Sequence, residues 1–416
     1  MPALEGIARI SPIRLLVLSS TYPRHAADSE PRFVHELARR LVGRFEVSAL
    51  VPSAPGLVAK ERMDGVAVHR FRYAPGRLER LAYDGGIVPK LRRNPWLHLL
   101  VPFFVLGELV GTWRALRRLD PQVIHAHWLL PQGAAAWMAL ALSRKRVPLV
   151  VTSHGADLFT FARGPLRHLL GRVVRRAAAV TVVGRHMVPV IHGLPHCAGI
   201  EVATIPMGTD VEQLFVPDAT VSRARNTLLF VGRLVEKKGL DDLLHAVRLA
   251  RERGCSVTLT VVGNGPMRPQ LERLASELGL QDVVGFLGAV PHSELPRMYR
   301  SAAAFVAPFR VARDDDQEGL GLVMVEALAC GCPVISTRIP AIEAAFADLG
   351  PLLVAPGSPS ALAEAIIRVV GEPSAWQPGP ELRGALAQQF SWSAVSRLYG
   401  ELIARQAGGT CDRMRG

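Results

Sequence analysis

The stretch NTLLFVGRLVEKKGLDDLLHA, residues 226–246, decides the fold. It begins with an apolar run of strand length and passes through a loop bounded by Gly232 and Gly239. It then continues with the apolar spacing of an amphipathic helix. Because a strand that leads through a short loop into a helix is half of a parallel βαβ unit, the stretch predicts an α/β protein with parallel sheets.

The same alternation occurs in two series along the chain. In the first half, apolar runs predict strands at residues 14–20, 45–51, 66–71, 122–128, 148–154, 178–184 and 201–206. In the second half, they predict strands at residues 226–232, 256–263, 283–288, 302–309, 333–338 and 351–356. Two such series predict two doubly wound, Rossmann-like domains, which bind ligands at the carboxyl ends of their strands.

The boundary between the domains is predicted where the apolar periodicity stops. Proline, glycine and polar residues interrupt it in IPMGTDVEQLFVPDATVSRAR, residues 205–225. We therefore predict a first domain at residues 1–208, a second at 209–390, and a final amphipathic helix at 391–416 that crosses back to the first domain. The two domains are expected to face each other across a cleft.

Composition indicates a compact protein with an uneven charge. The 416 residues are 49% hydrophobic and the net charge is +13. Residues 1–218 contain 28 Lys and Arg against 16 Asp and Glu, whereas residues 219–416 contain 21 against 20. The basic first half therefore predicts an anionic partner. An anionic membrane surface is favoured over nucleic acid, because no basic run is interleaved with aromatic residues.

Two further features bear on location. The five cysteines have no framework spacing and the chain begins without a signal-peptide pattern, so we expect reduced thiols in a cytoplasmic protein. The apolar stretch Trp96–Val110 is too short to span a bilayer. Arginines on both sides of it (92, 93, 114, 117 and 118) would suit a helix on the inner face of the cytoplasmic membrane, but a helix packed on a sheet fits equally well.

The loop between Gly232 and Gly239 is a candidate anion site. It follows a strand, opens a helix, and carries Arg233 and Lys238. Helix N–H groups together with two cations suit a diphosphate. A solvated charged loop is the alternative.

A second candidate is DDDQEGLGLVMVEALACGCPVIS, residues 314–336. Its clustered carboxylates could hold a divalent cation, and Asp314–Asp316 has the Asp-x-Asp pattern of metal-dependent transferases. Alternatively, the N–H groups of residues 319–323 bind a phosphate at a helix start, while Glu318 reaches a sugar hydroxyl and Glu326 a ribose. As a third possibility, Glu318 only balances the helix dipole at the N-terminus and Glu326 is a charge on the helix surface. We favour the phosphate interpretation over the metal site.

These motifs together resemble glycosyltransferase family four, the retaining group 1 glycosyltransferases of GT-B fold. The family pattern Gly-Arg-Leu-x3-Lys-Gly corresponds to residues 232–239, and Glu-x7-Glu corresponds to Glu318–Glu326. IPMGTD (205–210) is similar to the domain-junction motif, with Met207 in place of asparagine. VVGNGP (261–266), HAHWLLPQG (125–133) and TSHGADLF (152–159) also match, so the resemblance covers nearly the whole chain.

The resemblance implies transfer of a sugar from a nucleotide-diphosphate donor, with retained configuration, to a saccharide or lipid-linked acceptor in surface polysaccharide or glycolipid synthesis. It implies catalytic roles for four residues: His154, Glu318, Arg233 and Lys238. It implies further donor contacts by Gly319, Leu320, Leu322, Val323 and Glu326, and acceptor-side contacts by Asp157, Arg24 and Arg32. No metal and no cofactor are expected.

One departure and several alternatives stand beside this interpretation. The loop TYPRHAADSEPRF, residues 21–33, lacks the Gly-Gly pair of many relatives, so its contacts are open. A nucleotide-sugar epimerase, a phosphorylase or a non-catalytic binding protein of the same fold are the alternatives. A dinucleotide-binding module is disfavoured, because GNG at 263–265 lacks the third glycine and the acidic partner of that fingerprint.

Overall fold

The computed structural model describes residues 12–25, 28, 30–83, 86–87, 90–91, 94–313 and 315–413, with side chains described as far as residue 408. It contains one sheet of eight strands and one of six. The predicted α/β class with two doubly wound sheets is therefore confirmed.

The first sheet has the strand order β3-β4-β2-β1-β5-β6-β7-β8. Its strands are β1 (Ile13–Leu18), β2 (Phe45–Pro52), β3 (Lys60–Met63), β4 (Val66–Phe71), β5 (Val123–His127), β6 (Leu149–Ser153), β7 (Ala179–Val182) and β8 (Val202–Thr204). Every strand predicted in the first half is present. The sequence analysis missed β3, an antiparallel edge strand of sequence KERM without buried residues.

The second sheet has the strand order β11-β10-β9-β12-β13-β14, and its strands pair in parallel. The strands are β9 (Thr227–Val231), β10 (Thr258–Val262), β11 (Val284–Gly288), β12 (Ala304–Ala307), β13 (Val334–Thr337) and β14 (Leu352–Val354). The winding direction reverses between β9 and β12, where Leu229 is opposite Phe305. Loops that follow these two strands are therefore expected to form a ligand site.

Helices connect the strands. In chain order they are α1 (Phe33–Leu41), α2 (Val101–Arg118), α3 (Ala134–Ser143), α4 (Ala156–Phe161), α5 (Arg167–Arg176), α6 (Val188–His192), α7 (Leu240–Glu252), α8 (Arg268–Glu277), α9 (Leu295–Ser301), α10 (Leu322–Ala329), α11 (Pro340–Phe346), α12 (Pro359–Gly371), α13 (Pro380–Phe390) and α14 (Trp392–Arg413). Short 3-10 turns occupy Gly76–Leu78, Pro95–Leu100, Arg185–Met187, Glu236–Lys238, His292–Glu294 and Pro373–Trp376, and a π turn occupies Leu129–Gly133.

Helix α7 shows how the opening stretch forms its part of the core. Leu240, Leu243, Leu244 and Val247 recur at helical spacing and are fully buried against the second sheet. Burial of one such side chain contributes about 1.5–3 kcal/mol. This face fixes α7 on the sheet and so places the loop before it at the carboxyl end of β9.

Contacts divide the chain into two compact units. The first comprises the described residues of Met1–Thr152, Arg176–Val180 and Leu398–Gly416, and the second comprises Ser153–Arg175 and Thr181–Arg397. Within the first unit, the ring of Tyr399 from α14 lies 5.3 Å from the ring of His125. These units are defined by contacts between residues, and each combines separate segments of the chain. They therefore do not test the domain boundaries at residues 208 and 390, which stay predictions.

Candidate active site

Two loops of the second unit meet where the winding of the second sheet reverses. One joins β9 to α7 and the other follows β12. Gly239 has φ +65°, and a Cβ built on it would lie 1.9 Å from the carbonyl oxygen of Pro308. The N–H of Arg310 also donates to the carbonyl of Lys237 at 3.0 Å. Only glycine fits between the two backbones, so Gly239 fixes the separation of the loops.

The glycines of VVGNGP (261–266) pack closely against the backbone of the loop that joins β9 to α7. A Cβ on Gly263 would lie 2.0 Å from the Gly232 carbonyl oxygen, and one on Gly265 would lie 2.3 Å from that of Leu234. Gly263 also has φ +129°. This motif therefore shapes the loop that carries Arg233 and Lys238.

Lys238 and Glu318 form the central polar contact of the site. Lys238 Nζ lies 2.8 Å from Glu318 Oε2, and the N–H of Gly321 donates to Glu318 Oε1 at 3.2 Å. Lys238 Nζ also lies 4.6 Å above the Phe309 ring. Burial acts to raise the pKa of Glu318, but Lys238 and Lys237 outweigh it and lower that pKa to about 2. Glu318 is therefore ionised near neutral pH.

Two of the aspartates before Glu318 are ion-paired. Asp316 pairs with Lys237 at 3.0 Å, and Asp315 pairs with Arg163. Asp314 lies outside the described residues. Among the residues that the structure describes, no group of three or more His, Cys, Asp or Glu side chains is placed to hold a metal ion. The described part of the acidic stretch is thus an ion-paired loop.

Helix α10 begins among the residues for which donor contacts were predicted. Gly321 has φ +79° at its N-cap, Leu320 precedes it in a buried position, and the half-buried Leu322 and Val323 begin its first turn. Each of these residues lies at the helix start, as predicted. Their backbone groups therefore lie next to Glu318 in the chain.

Glu326 lies further along α10 and is almost fully buried. Tyr299 donates to its Oε2 at 3.2 Å, and Thr209 donates to its Oε1 at a longer 3.4 Å. His292 Nε2 lies at the same distance from Oε1. Glu326 is therefore not a helix-surface charge, and three neighbouring groups orient its carboxylate.

The loop that carries His154 touches the Glu318 segment. A Cβ built on Gly319 would lie 2.7 Å from the carbonyl oxygen of His154. Asp157 is buried in α4 and accepts a hydrogen bond from Ser153 Oγ at 2.9 Å. Asp157 thus holds the turn around His154, and its acceptor-side contact stays a prediction.

The sequence analysis missed His186, which lies in the turn after β7. A Cβ on Gly184 would lie 2.6 Å from His186 Cε1 and 3.2 Å from the Gly319 carbonyl oxygen. The His186 ring stacks on Phe159, and both ring nitrogens are buried without a hydrogen-bond partner among the described residues. Burial lowers the pKa of His186 to about 4, although the Glu318 carboxylate opposes this change. No motif in VVGRHM pointed to this residue.

Three predicted cations have different settings. Arg233 is exposed immediately after β9 and Gly232. Arg24 and Arg32 belong to the first unit. Arg24 pairs with both carboxylate oxygens of Asp28 at 2.9 Å, and Arg32 pairs with Glu36 at 3.7 Å. The structure thus brings His154, Asp157, Lys238, Glu318 and the start of α10 into one unit, while Arg24 and Arg32 are held by acidic neighbours in the other.

Comparisons with known proteins fit this geometry. The family model described as "Glycosyl transferases group 1" matches residues 217–388, and the model described as "Glycosyl transferase 4-like domain" matches residues 31–208. The D-inositol 3-phosphate glycosyltransferase of Frankia alni is 34% identical over 406 residues, 88% of this chain and 91% of that relative. The chain belongs to the group 1 glycosyltransferases. The transferase prediction is confirmed over a binding protein or an epimerase.

A second relative is named as a mannosyltransferase that acts on a phosphatidylinositol mannoside. The GDP-mannose-dependent alpha-(1-6)-phosphatidylinositol monomannoside mannosyltransferase of Mycolicibacterium smegmatis is 34% identical over 250 residues, 56% of this chain and 64% of that relative.

Solved structures support the GT-B fold of this group 1 glycosyltransferase. Sucrose-phosphate synthase from Thermosynechococcus elongatus superimposes with a TM-score of 0.77 at 21% identity, covering 95% of this chain and 100% of the other. Anabaena HepE in complex with UDP-glucose gives 0.70 at 17% identity, covering 94% and 100%. The predicted GT-B fold is therefore confirmed.

Proposed function

We propose that this glycosyltransferase moves a sugar from a nucleotide-diphosphate sugar to a saccharide or lipid-linked acceptor, with retained anomeric configuration and without a metal. It acts in glycolipid or surface polysaccharide synthesis at the inner face of the cytoplasmic membrane. The ion pair of Lys238 with Glu318, beside the close approach of Gly319 to the His154 carbonyl, carries the proposal, since a cation suits the diphosphate of such a donor and a carboxylate suits the hydroxyls of its sugar.

The donor diphosphate lies at the start of α10. Backbone N–H groups from Gly319 to Val323 face it with the positive end of the helix dipole. Lys238 and Arg233 supply the cations. As the leaving diphosphate gains charge, these fixed donors stabilise it without reorganisation, which lowers the barrier. The protein's own cations thereby take the part that a divalent ion plays in metal-dependent transferases.

Two glutamates orient the neutral parts of the donor. Glu318 is ionised and accepts hydrogen bonds from hydroxyls of the donor sugar, while Lys238 balances its charge. Glu326 accepts hydrogen bonds from the ribose, with Tyr299 and Thr209 holding its carboxylate in place. These roles separate sugar recognition from phosphate binding.

The acceptor attacks the anomeric carbon from the same face from which the leaving diphosphate departs. The bond from the anomeric carbon to the diphosphate oxygen breaks, the acceptor oxygen bonds to that carbon, and the acceptor proton passes to the departing diphosphate. His154 contacts the transferred sugar, and Asp157 keeps its loop in position through Ser153. Arg24 and Arg32 serve the acceptor side. No second carboxylate is assigned as a covalent nucleophile in this scheme.

A donor screen followed by product analysis tests the proposal. UDP-, GDP- and ADP-sugars are compared for thermal stabilisation, and the one that stabilises is incubated with EDTA and a set of saccharide and lipid-linked acceptors. We expect a product whose anomeric configuration by NMR equals that of the donor. Inverted product, or turnover that EDTA abolishes and Mn²⁺ restores, would contradict the retaining, metal-free scheme.

A further inference from the structure

One segment of the first unit has an outer face with exposed large apolar side chains. It consists of the turn Pro95–Leu100 and helix α2 (Val101–Arg118). Among the described residues it alone is long and apolar enough to cross a membrane, and only 28% of its most apolar part is buried. Core helices of soluble proteins can be equally long and apolar, but the two faces of this segment differ.

The inner face of α2 is fixed to the first sheet. A Cβ on Gly107 would lie 2.5 Å from the carbonyl oxygen of Arg72, and one on Gly111 would lie 2.9 Å from Phe71 Cβ. The ring of Phe104 lies 5.3 Å from that of Phe71 and 5.0 Å from that of Tyr73. Two glycines thus bring the helix backbone onto the end of β4. A helix held so closely along its length is part of the folded unit and does not span a bilayer.

The outer face carries four large apolar side chains. Trp96 is 78% exposed, Leu99 65%, Phe103 59% and Leu106 56%. They recur every three or four residues and so form one stripe along the segment. We name these four residues the apolar stripe. Such a contiguous exposed stripe marks a surface that is covered in use.

Basic residues continue the same face toward the carboxyl end of α2. Arg114 and Arg117 lie eleven residues after Phe103 and Leu106, which is three helical turns, and both are exposed. The Arg117 guanidinium lies 4.9 Å above the ring of Trp113. An apolar region that ends in an aromatic and cationic border is the pattern of a helix lying in a membrane interface.

We propose that the segment 95–118 lies in the interface of an anionic lipid bilayer. The apolar stripe enters the boundary of head groups and acyl chains, while Arg114 and Arg117 contact anionic head groups. The buried Glu108, on the opposite face, stays in the protein. A second copy of the chain is a poorer occupant, because pairing would bring together surfaces of a protein with net charge +13.

The membrane contact of the segment 95–118 rests on the proposed function in one respect: a lipid-linked acceptor would be met at the membrane surface. It places recognition of the bilayer on α2, apart from the donor-binding residues. Membrane binding and donor binding are consequently expected to respond to different substitutions.

Vesicle flotation of the full chain tests the inference. Wild type is expected to float with phosphatidylcholine vesicles containing 30% phosphatidylglycerol, and less with pure phosphatidylcholine. The double variant Phe103→Ser/Leu106→Ser should bind both about tenfold or more weakly, because it loses buried apolar area. Arg114→Glu/Arg117→Glu should lose the preference for anionic vesicles. Leu287→Ser is the matched control, since Leu287 on β11 is 57% exposed.

Each result has a defined meaning. The inference is overturned if the stripe variant and the arginine variant both bind vesicles as strongly as the wild type does. It is also overturned if the wild type does not bind anionic vesicles. A wild-type dimer in sedimentation equilibrium that the stripe variant converts to monomer, without vesicle binding, assigns the face to a second copy and also overturns it. Titration of the same preparations with UDP and GDP reports on the donor site independently, so that failure of the proposed function is seen separately.

Discussion

Lys238 and Glu318 lie 80 positions apart in sequence, yet Nζ of the lysine lies 2.8 Å from Oε2 of the glutamate. The contact joins the loop after β9 to the loop after β12, at the reversal of the second sheet. It balances two charges that are both largely removed from water, with side-chain exposures of 13% and 16%. In the proposed function, Lys238 binds the charged diphosphate of the donor and Glu318 binds its neutral sugar.

Removal of the Glu318 carboxylate should abolish most turnover. Glu318→Ala is expected to lower kcat by about a hundredfold or more, because the sugar loses a charged acceptor in the transition state. The measurement is initial rate with the donor found in the screen. Asp315→Asn is the matched control in the same loop, where the pair with Arg163 is exposed, and it should stay within about twofold of wild type. Equal rates for wild type and Glu318→Ala would remove Glu318 from the donor site.

A side chain at position 319 should separate activity from folding. The Cβ of Gly319→Ala would lie 2.7 Å from the His154 carbonyl oxygen, so the two loops must move apart. We expect turnover to fall about tenfold or more while the chain stays folded, as a displacement of about 1 Å at a reacting group is costly. Gly384→Ala, in the open interior of α13, is the control and should leave turnover unchanged. If both variants keep full activity, the contact at Gly319 has no functional part.

Loss of Gly239 should be the costliest of the loop substitutions for stability. Gly239→Ala combines φ +65° with a Cβ 1.9 Å from the Pro308 carbonyl oxygen. We expect a loss of about 3 kcal/mol or more in the free energy of unfolding, measured by urea denaturation. Gly279→Ala shares the left-handed backbone, at φ +67°, but has open space around it, so only about 1 kcal/mol is expected. Similar losses for the two variants would contradict the close approach of the loops.

The buried Glu108 should make stability depend on pH. Burial raises its pKa to about 8, although the Gln132 amide opposes the change. Its folded-state pKa therefore lies above the unfolded value of 4.5, and its stabilising contribution is full below pH 4.5 and lost as pH rises toward 8. Glu108→Gln should accordingly gain a few kcal/mol over wild type at pH 8 relative to pH 5. Denaturation curves at the two pH values check this, with the exposed Glu46→Gln as control, for which we expect no such gain.

The sequence predicted the strands of both sheets because their cores are continuous apolar runs. It missed β3, whose four residues KERM carry three charged side chains and lie at a sheet edge, where pairing depends on the backbone alone. The periodicity of α7 was read correctly, since its buried leucines recur at helical spacing.

The site was predicted in part for similar reasons. The Lys238 and Glu318 loops lie at strand ends that any doubly wound sheet places together, and motif spacing identified them. The ion pairs of Asp315 and Asp316 depend on side chains distant in sequence, and the sequence therefore left a metal site open. His186 was missed because its place beside Gly319 arises from tertiary packing on Phe159.

Titration of two adjacent lysine variants with UDP and GDP tests the central claim most directly. Lys238→Met removes the cation at Glu318, whereas Lys237→Met removes one that pairs with Asp316 at 3.0 Å. By calorimetry, we predict that Lys238→Met weakens the tighter nucleotide about tenfold or more, and that Lys237→Met stays within about twofold of wild type. Equal affinities for wild type and Lys238→Met, in folded protein, would contradict a donor diphosphate site at the Lys238–Glu318 contact.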